Sequence, residues 1–104
     1  MDIDLRLLRA IETEKGVSFE TLAETIEAAL LAAYERTGAP HPDARVELRR
    51  KNGHGTLWAQ ERGPDGQVLQ DWDDTPEGFD RVAAMTARQA IRSRLRQLEE
   101  EQTY

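Results

Sequence analysis

From Ser18 to Ala33 the chain reads SFETLAETIEAALLAA, its clearest helical pattern. The apolar residues of this stretch recur three or four positions apart, which places them on one face of an α-helix. They are Phe19, Leu22, Ala23, Ile26, Ala29, Leu30 and Ala33. Ser18 is a suitable N-cap, and Gly38, Pro40 and Pro42 oppose continuation of the helix. The stretch therefore predicts an amphipathic helix that ends near Gly38.

Residues 4–14 predict a shorter helix upstream. Leu5, Leu8 and Ile11 are spaced three apart, and Gly16 suits a left-handed C-cap. Downstream of the longer helix the apolar period changes to two, which is typical of strands with one exposed face. Strands are predicted at Ala44–Arg49, Thr56–Glu61 and Val68–Trp72. Turn sequences separate these strands, so we expect an antiparallel meander.

A third helix is predicted to start at Thr75-Pro76-Glu77, with Thr75 as N-cap and Pro76 at the first position, and to continue towards Glu101. The resulting fold class is α+β: two N-terminal helices, a small three-stranded antiparallel sheet and a long C-terminal helix. We expect residues 1–104 to form one domain. The polar stretch 97–104 is predicted to be a helical connector to a further module.

Four arginines of the third helix form what we call the arginine stripe: Arg81, Arg88, Arg92 and Arg96. At about 100° per residue they lie within about 80° of arc, and no acidic residue occurs between Arg81 and Leu98. A second arc, about 90° away, is predicted to be buried. It contains Ala84, Ala87, Ile91, Leu95 and Leu98. The helix could thus bury one flank and present the stripe to an anion.

Solvated arginines that support the helix through intrahelical ion pairs are the alternative interpretation of the stripe. Glu99, Glu100 and Glu101 could form such pairs near the helix end. Because no acid lies within the stripe itself, we interpret it as a contact surface.

The composition restricts the classes of function. The 104 residues contain 14 Lys and Arg, 20 Asp and Glu and no Cys, for a net charge of −6. Such an acidic chain is not expected to bind nucleic acid through its overall charge, so any contact with a polyanion must be local. The lack of Cys excludes disulfides and thiolate chemistry. No secretion signal or membrane span is recognisable, so a cytoplasmic protein is expected.

Catalysis and metal binding have little support in the sequence. His41 and His54 lie in turn-rich segments, and we interpret them as exposed loop residues. Asp71, Asp73 and Asp74 lack the spacing of a calcium loop and are interpreted as a solvated turn. No phosphate loop or nucleophile motif is present. We therefore predict a protein that is not an enzyme and has no catalytic residue, metal, cofactor, small-molecule substrate or membrane partner.

Six segments carry a family resemblance: LRAIE at 8–12, EKGVS at 14–18, ETIEAAL at 24–30, ARVEL at 44–48, DDTPEGFDR at 73–81 and TARQAI at 86–91. In this order they resemble the N-terminal domain of the bacterial transcription elongation and termination factor NusA. The resemblance covers essentially the whole chain. Its most specific parts are the Phe-Asp-Arg and Thr-Ala-Arg-Gln sequences.

The resemblance implies a domain that modulates transcriptional pausing, termination and antitermination. In the family this domain docks on RNA polymerase, at the flap tip of the β subunit near the RNA exit channel. Arg81, Arg88 and Arg36 match basic positions that face the nascent RNA hairpin, and Arg92 lies on the same stripe. Glu35 departs from the family, which often has a basic residue there, and predicts weaker contact at that corner. The RNA-binding S1 and KH modules of the family would follow residues 97–104.

A protein-interaction module without nucleic-acid contact is the second interpretation of the sequence. In that case the arginine stripe meets an acidic protein surface. Trp58 and Trp72 are expected to pack in the core or half-buried on the sheet, but a tryptophan on the outer sheet face could anchor a partner helix. The alternation of the second strand places Trp58 opposite Leu57 and Ala59. Trp58 is therefore predicted to be more exposed than Trp72 and is the candidate partner-binding residue.

Overall fold

The computed structural model describes residues 1–101, and it confirms the predicted α+β class. Three helices and one sheet follow in the predicted order. They are α1 (Leu5–Lys15), α2 (Phe19–Glu35), β1 (Ala44–Leu48), β2 (Gly55–Arg62), β3 (Val68–Asp73) and α3 (Phe79–Glu101). The sheet is an antiparallel meander in the order β1-β2-β3. Of the predicted connector 97–104, residues 102–104 lie outside the described part.

The first two helices begin and end as their local sequences predict. The Asp4 side chain accepts a hydrogen bond from the Arg6 N–H at the start of α1, and Ser18 accepts one from the Thr21 N–H at the start of α2. Gly16 ends α1 with a φ of 69°, a left-handed conformation that costs glycine little because it has no Cβ. Each helix therefore satisfies terminal backbone groups with neighbouring residues.

The predicted start of α3 at Thr75 is wrong. The helix begins at Phe79, after a turn in which Gly78 has a φ of 76°. The Thr75 hydroxyl instead accepts a hydrogen bond from the Leu57 N–H at 3.1 Å and donates one to Asp73 at 2.6 Å. Thr75 thus caps strands rather than a helix, because the sheet brings an N–H of β2 within its reach.

The core lies between α2, α3 and the inner face of the sheet. Its fully buried large side chains come from α1, α2 and β2. They are Leu8, Leu22, Ile26, Leu30, Tyr34 and Leu57. Tyr34 closes the end of this core, because its hydroxyl donates to Asp74 and accepts from the His41 N–H, both at 2.6 Å. Burial and the hydrogen bond to Asp74 raise the pKa of Tyr34 above its ordinary value.

A charged cluster fixes the sheet to α2. Glu27 accepts hydrogen bonds from the Leu48 N–H at 2.8 Å and from the Arg50 guanidinium at 3.0 Å. Arg50 also contacts Glu20 at 2.7 Å, and these two carboxylates raise the pKa of Arg50 further above its usual range. The cluster holds the end of β1 and the residue pair after it against α2.

Candidate interface for nucleic acid and protein

The arginine stripe lies on an exposed face of α3, as the sequence predicts. Phe79, Ala83, Ala87 and Ile91 are spaced four apart, and all four are buried. Burial of that flank turns Arg81, Arg88, Arg92 and Arg96 outwards, and all of them are exposed. None of the salt bridges between residues 1 and 101 involves these arginines.

The buried flank is not the one that the sequence predicts. Ala84 is exposed, whereas Ala83 is buried. With about 100° per residue, the centre of the observed flank lies about 155° from the centre of the arginine stripe, instead of about 90°. The stripe is therefore nearly opposite the core. This position leaves the guanidinium groups available to a partner along the whole face.

Two apolar side chains next to the arginine stripe are not predicted from the sequence. Met85 is 73% exposed and Val82 is 44% exposed. At about 100° per residue, Met85 lies between Arg92 and Arg96 in angle around the helix, and Val82 lies about 60° from Met85. This angular position is the signal that could have revealed them. The surface therefore combines guanidinium groups with a flexible apolar contact.

Arg36 lies apart from Arg88. As the C-cap of α2 it is exposed at the end of a shallow groove between α2 and α3. The groove is lined by Ala29, Ala32, Ala33, Arg36, Thr86, Gln89, Ala90 and Ser93. Arg88 instead borders a groove on the α1 side of α3, together with Leu7 and Asp2. The structure therefore brings Arg81, Arg88 and Arg92 onto one face and places Arg36 on the opposite flank of α3.

Comparisons with known proteins decide the family. The model of the NusA N-terminal domain family matches residues 5–62. The chain is 48% identical over 104 residues to the transcription termination/antitermination protein NusA of Mycobacterium tuberculosis, covering 100% of the chain and 30% of that protein. The chain belongs to the NusA N-terminal domain family. It thus spans about a third or less of the length of the curated relatives it matches.

Relatives outside the mycobacteria agree with this assignment. The NusA protein of Bacillus subtilis is 32% identical over 118 residues, which cover 91% of this chain and 32% of that protein. The solution structure of the N-terminal domain of NusA from B. subtilis superposes with a TM-score of 0.73 at 32% identity, covering 92% of this chain and 95% of the other. The α+β fold described above is therefore that of the NusA N-terminal domain.

The match to the family model ends at Arg62, before β3 and α3. The arginine stripe thus lies outside the residues matched by the family model, although the alignment with the mycobacterial NusA proteins includes it. The family model therefore supports the assignment through α1, α2, β1 and β2, and the argument for the stripe rests on its geometry.

The prediction that Trp58 is the more exposed tryptophan of this NusA domain is wrong. Trp72 is 37% exposed, whereas Trp58 is half-buried. Trp58 does lie on the outer face, opposite to the buried Leu57 and Ala59, but neighbouring strands cover it. Its indole N–H points to Glu47 at 3.4 Å, and the Arg45 guanidinium lies 6.0 Å from its ring centroid. Trp72 belongs to the edge strand β3, which has only one neighbouring strand within residues 1–101.

The histidines and the acids near β3 each have separate partners. His41 is half-buried rather than exposed, and its ring packs edge-on against Trp72 with 5.1 Å between centroids. His54 contacts Asp2 at 2.9 Å. Asp71 and Asp73 belong to β3 instead of a solvated turn, and the Asp74 carboxylate accepts a hydrogen bond from the Tyr34 hydroxyl.

Within residues 1–101 no group of three or more His, Asp or Glu side chains could hold a metal ion. No helix in the same part of the chain is long and apolar enough to cross a membrane.

Proposed function

We propose that this domain binds RNA polymerase at the flap tip of the β subunit and braces the nascent RNA hairpin with Arg81, Arg88 and Arg92. The observation that carries the proposal is the exposed arginine stripe, which has no salt bridge within residues 1–101 in a chain of net charge −6. Family membership supplies the transcription context.

The stripe suits the backbone of an A-form stem. Arg81 and Arg88 are separated by seven positions, or about 10.5 Å along the helix axis. Guanidinium groups form paired hydrogen bonds with phosphate oxygens, and the deep major groove of an RNA stem hides its base edges. The contact should therefore depend on charge and shape more than on sequence. Arg36 would reach the hairpin only from the other flank of α3, next to Glu35.

Pausing would be prolonged through differential binding. A domain that holds both the polymerase and the hairpin binds the hairpin-paused complex more tightly than a moving complex without a hairpin. A difference of about 1.4 kcal/mol changes the balance about tenfold. A few phosphate contacts therefore suffice. In this proposal residues 97–104 connect the domain to the RNA-binding modules that follow in the family.

The test is a reconstituted pause assay with the R81E/R88E variant. We expect hairpin-stabilised pause lifetimes to fall close to the value without the domain. A matched control, R6E/K51E, changes the charge by the same amount at exposed positions on α1 and the β1–β2 turn and should retain the effect. Unchanged pause lifetimes for R81E/R88E, or equal losses in both variants, would overturn the hairpin assignment.

Exposed Met85 favours a second candidate function, in which the stripe meets an acidic protein surface. A thioether contributes nothing to a phosphate contact but packs well against apolar side chains. Substitution of Met85 by Gln separates the two. Loss of polymerase binding on a template without a hairpin would indicate the protein contact, whereas unchanged binding to both complexes would favour an RNA contact made by the arginines. In either function Trp58 remains a candidate partner residue on the outer sheet face.

A further inference from the structure

Strand β3 exposes an unusual amount of apolar surface. All six of its residues are exposed. Val68 is 44%, Leu69 57% and Trp72 37% exposed, which makes β3 the source of three of the six large exposed hydrophobic residues within residues 1–101. The other three residues of β3, Gln70, Asp71 and Asp73, are polar, and exposed apolar surface bordered by polar residues can mark a site of interaction.

The outer backbone edge of β3 is open. In an antiparallel pair, alternate residues direct their N–H and C=O groups towards the neighbouring strand. The Asp74 N–H donates to Leu57 O, which places Trp72 and Gln70 in the same inward-bonding set. Asp71 and Asp73 therefore direct their backbone groups outwards. The sheet order β1-β2-β3 leaves no strand on that side within residues 1–101.

The same edge is protected against a second copy of this chain. The register shifts from Glu61↔Gln70 to Arg62↔Val68, so a bulge at Leu69 limits the regular edge to Gln70–Asp73. Antiparallel self-pairing centred on Asp71 would bring two Asp71 carboxylates face to face, which is unfavourable. No lysine or arginine occurs between Asp65 and Asp80, a stretch that contains six acids. These charges select a basic partner.

Each of the two carboxylates at the edge has a side-chain neighbour. Asp73 accepts hydrogen bonds from the Thr75 N–H at 2.9 Å and from the Thr75 hydroxyl at 2.6 Å, and these bonds lower the pKa of Asp73. Asp71 Oδ2 lies 3.9 Å from Arg45 Nη2, and 43% of the Asp71 side chain is exposed. Trp72 points to the other face of the strand, the side of Ala59.

We propose that the edge Gln70–Asp73 binds an extended basic segment of a partner protein by strand addition. Backbone groups of Asp71 and Asp73 supply the hydrogen bonds of the added strand. Lysine or arginine side chains of the segment lie against the two carboxylates, and apolar side chains at alternate positions lie against Trp72. The partner segment therefore has alternating basic and apolar residues. This surface is separate from the arginine stripe and does not depend on its function.

The test uses the labelled domain and a capped synthetic peptide of alternating Lys and Val. We expect saturable amide shifts confined to β3 and its surroundings. Hydrogen exchange at the Asp71 and Asp73 amides should slow on binding, whereas the Gln70 and Trp72 amides, already bonded to β2, should change little. This alternation reports strand addition, because docking through side chains alone would not protect outward-facing amides. Absence of saturable shifts, or shifts located elsewhere, would overturn the proposal.

Charge variants provide the specificity control. D71K/D73K should weaken peptide binding by about tenfold or more. The control D65K/E77K makes the same change in charge at exposed turn residues beside the edge and should cost much less. The free-domain spectra of both variants report whether the fold is retained, and a peptide with N-methylated amides on its pairing edge tests the backbone contribution on the unaltered domain. Equal losses in both variants, or undiminished binding of the methylated peptide, would overturn the proposal.

Discussion

Gly53 determines how the N-terminal residues meet the sheet. Its φ is 76°, and a Cβ at this position would lie 2.0 Å from the Ile3 carbonyl oxygen. The close approach allows the Ile3 N–H to donate to Gly53 O at 2.8 Å, next to a bridge between Asp2 and His54. The turn Lys51-Asn52-Gly53 is recognisable in the sequence, but the neighbour that crowds it is 50 residues away along the chain.

Substitution of Gly53 by Ala is expected to destabilise the domain by at least about 2 kcal/mol, because it adds a backbone clash to the cost of a left-handed alanine. Gly66 is the matched control: its φ is 81°, and a Cβ added there would have no neighbour within 4 Å. Gly66→Ala should cost only the conformational term of about 1–2 kcal/mol. Urea unfolding measures both, and equal losses would contradict the role given to Ile3.

At Thr75 the sequence predicts a capping side chain but not the group that it caps. The sequence Thr75-Pro76-Glu77 has the composition of a helix start, yet its hydroxyl is engaged by Leu57 and Asp73. A threonine hydroxyl caps whichever backbone N–H is near. Local sequence predicts the capping tendency, and the partner is decided by the strand that passes beside it.

Helix α3 illustrates why a buried face is harder to predict than a helix. Alanines occupy positions 83, 84, 87 and 90, so hydrophobicity alone leaves the face ambiguous. Packing against α2 and the neighbouring elements selects Ala83 and Ala87 and exposes Ala84. The exposure of the arginine stripe does not depend on which alanines of α3 are buried, because charged residues are excluded from the core in either case.

Substitutions on the buried flank of α3 should lower the free energy of unfolding more than substitutions in the exposed arginine stripe. Ile91→Ala is expected to cost about 2–4 kcal/mol, because Ile91 is only 5% exposed. R81E/R88E should change the free energy of unfolding by less than about 1 kcal/mol, since both side chains are exposed and Glu near the helix start is compatible with the helix dipole. Urea unfolding of both variants tests the contrast. A comparable loss in R81E/R88E would mean that the stripe supports the fold.

The distribution of charge along the chain creates two regions of opposite sign. The net charge is −6, yet the stretch from Arg81 to Leu98 contains five arginines and no acid. Because the remainder is acidic and disfavours RNA, the proposed RNA contact would be local to the stripe. The acidic edge of β3 lies in a different part of the sequence and suits a different partner.

The salt dependence of binding tests whether the arginine stripe contacts RNA phosphates. We expect the affinity of the domain for hairpin-paused polymerase to fall more steeply with salt than its affinity for the same complex without a hairpin. Three phosphate contacts correspond to a difference of about 2–3 in the slope of log affinity against log salt, and Arg88→Ala should reduce that difference by about 1. Titrations at several salt concentrations measure it. Identical slopes for the two complexes would exclude phosphate contacts by the stripe.

The sequence by itself determined the order of helices and strands, the ends of α1 and α2, the antiparallel meander and the exposure of Arg81, Arg88, Arg92 and Arg96. These features follow from interactions within a few residues: periodicity, capping and the cost of burying charge. The quoted motifs also identified the family.

Tertiary structure alone decided which flank of α3 is buried, where α3 begins, that Arg36 lies apart from Arg88, and that Trp72 rather than Trp58 is the more exposed tryptophan. Each of these depends on residues distant in sequence that meet only in the folded chain. Exposure of Trp72, for example, follows from the position of β3 at the sheet edge. Strand order and helix packing are properties of the assembled chain, and local spacing carries no information about them.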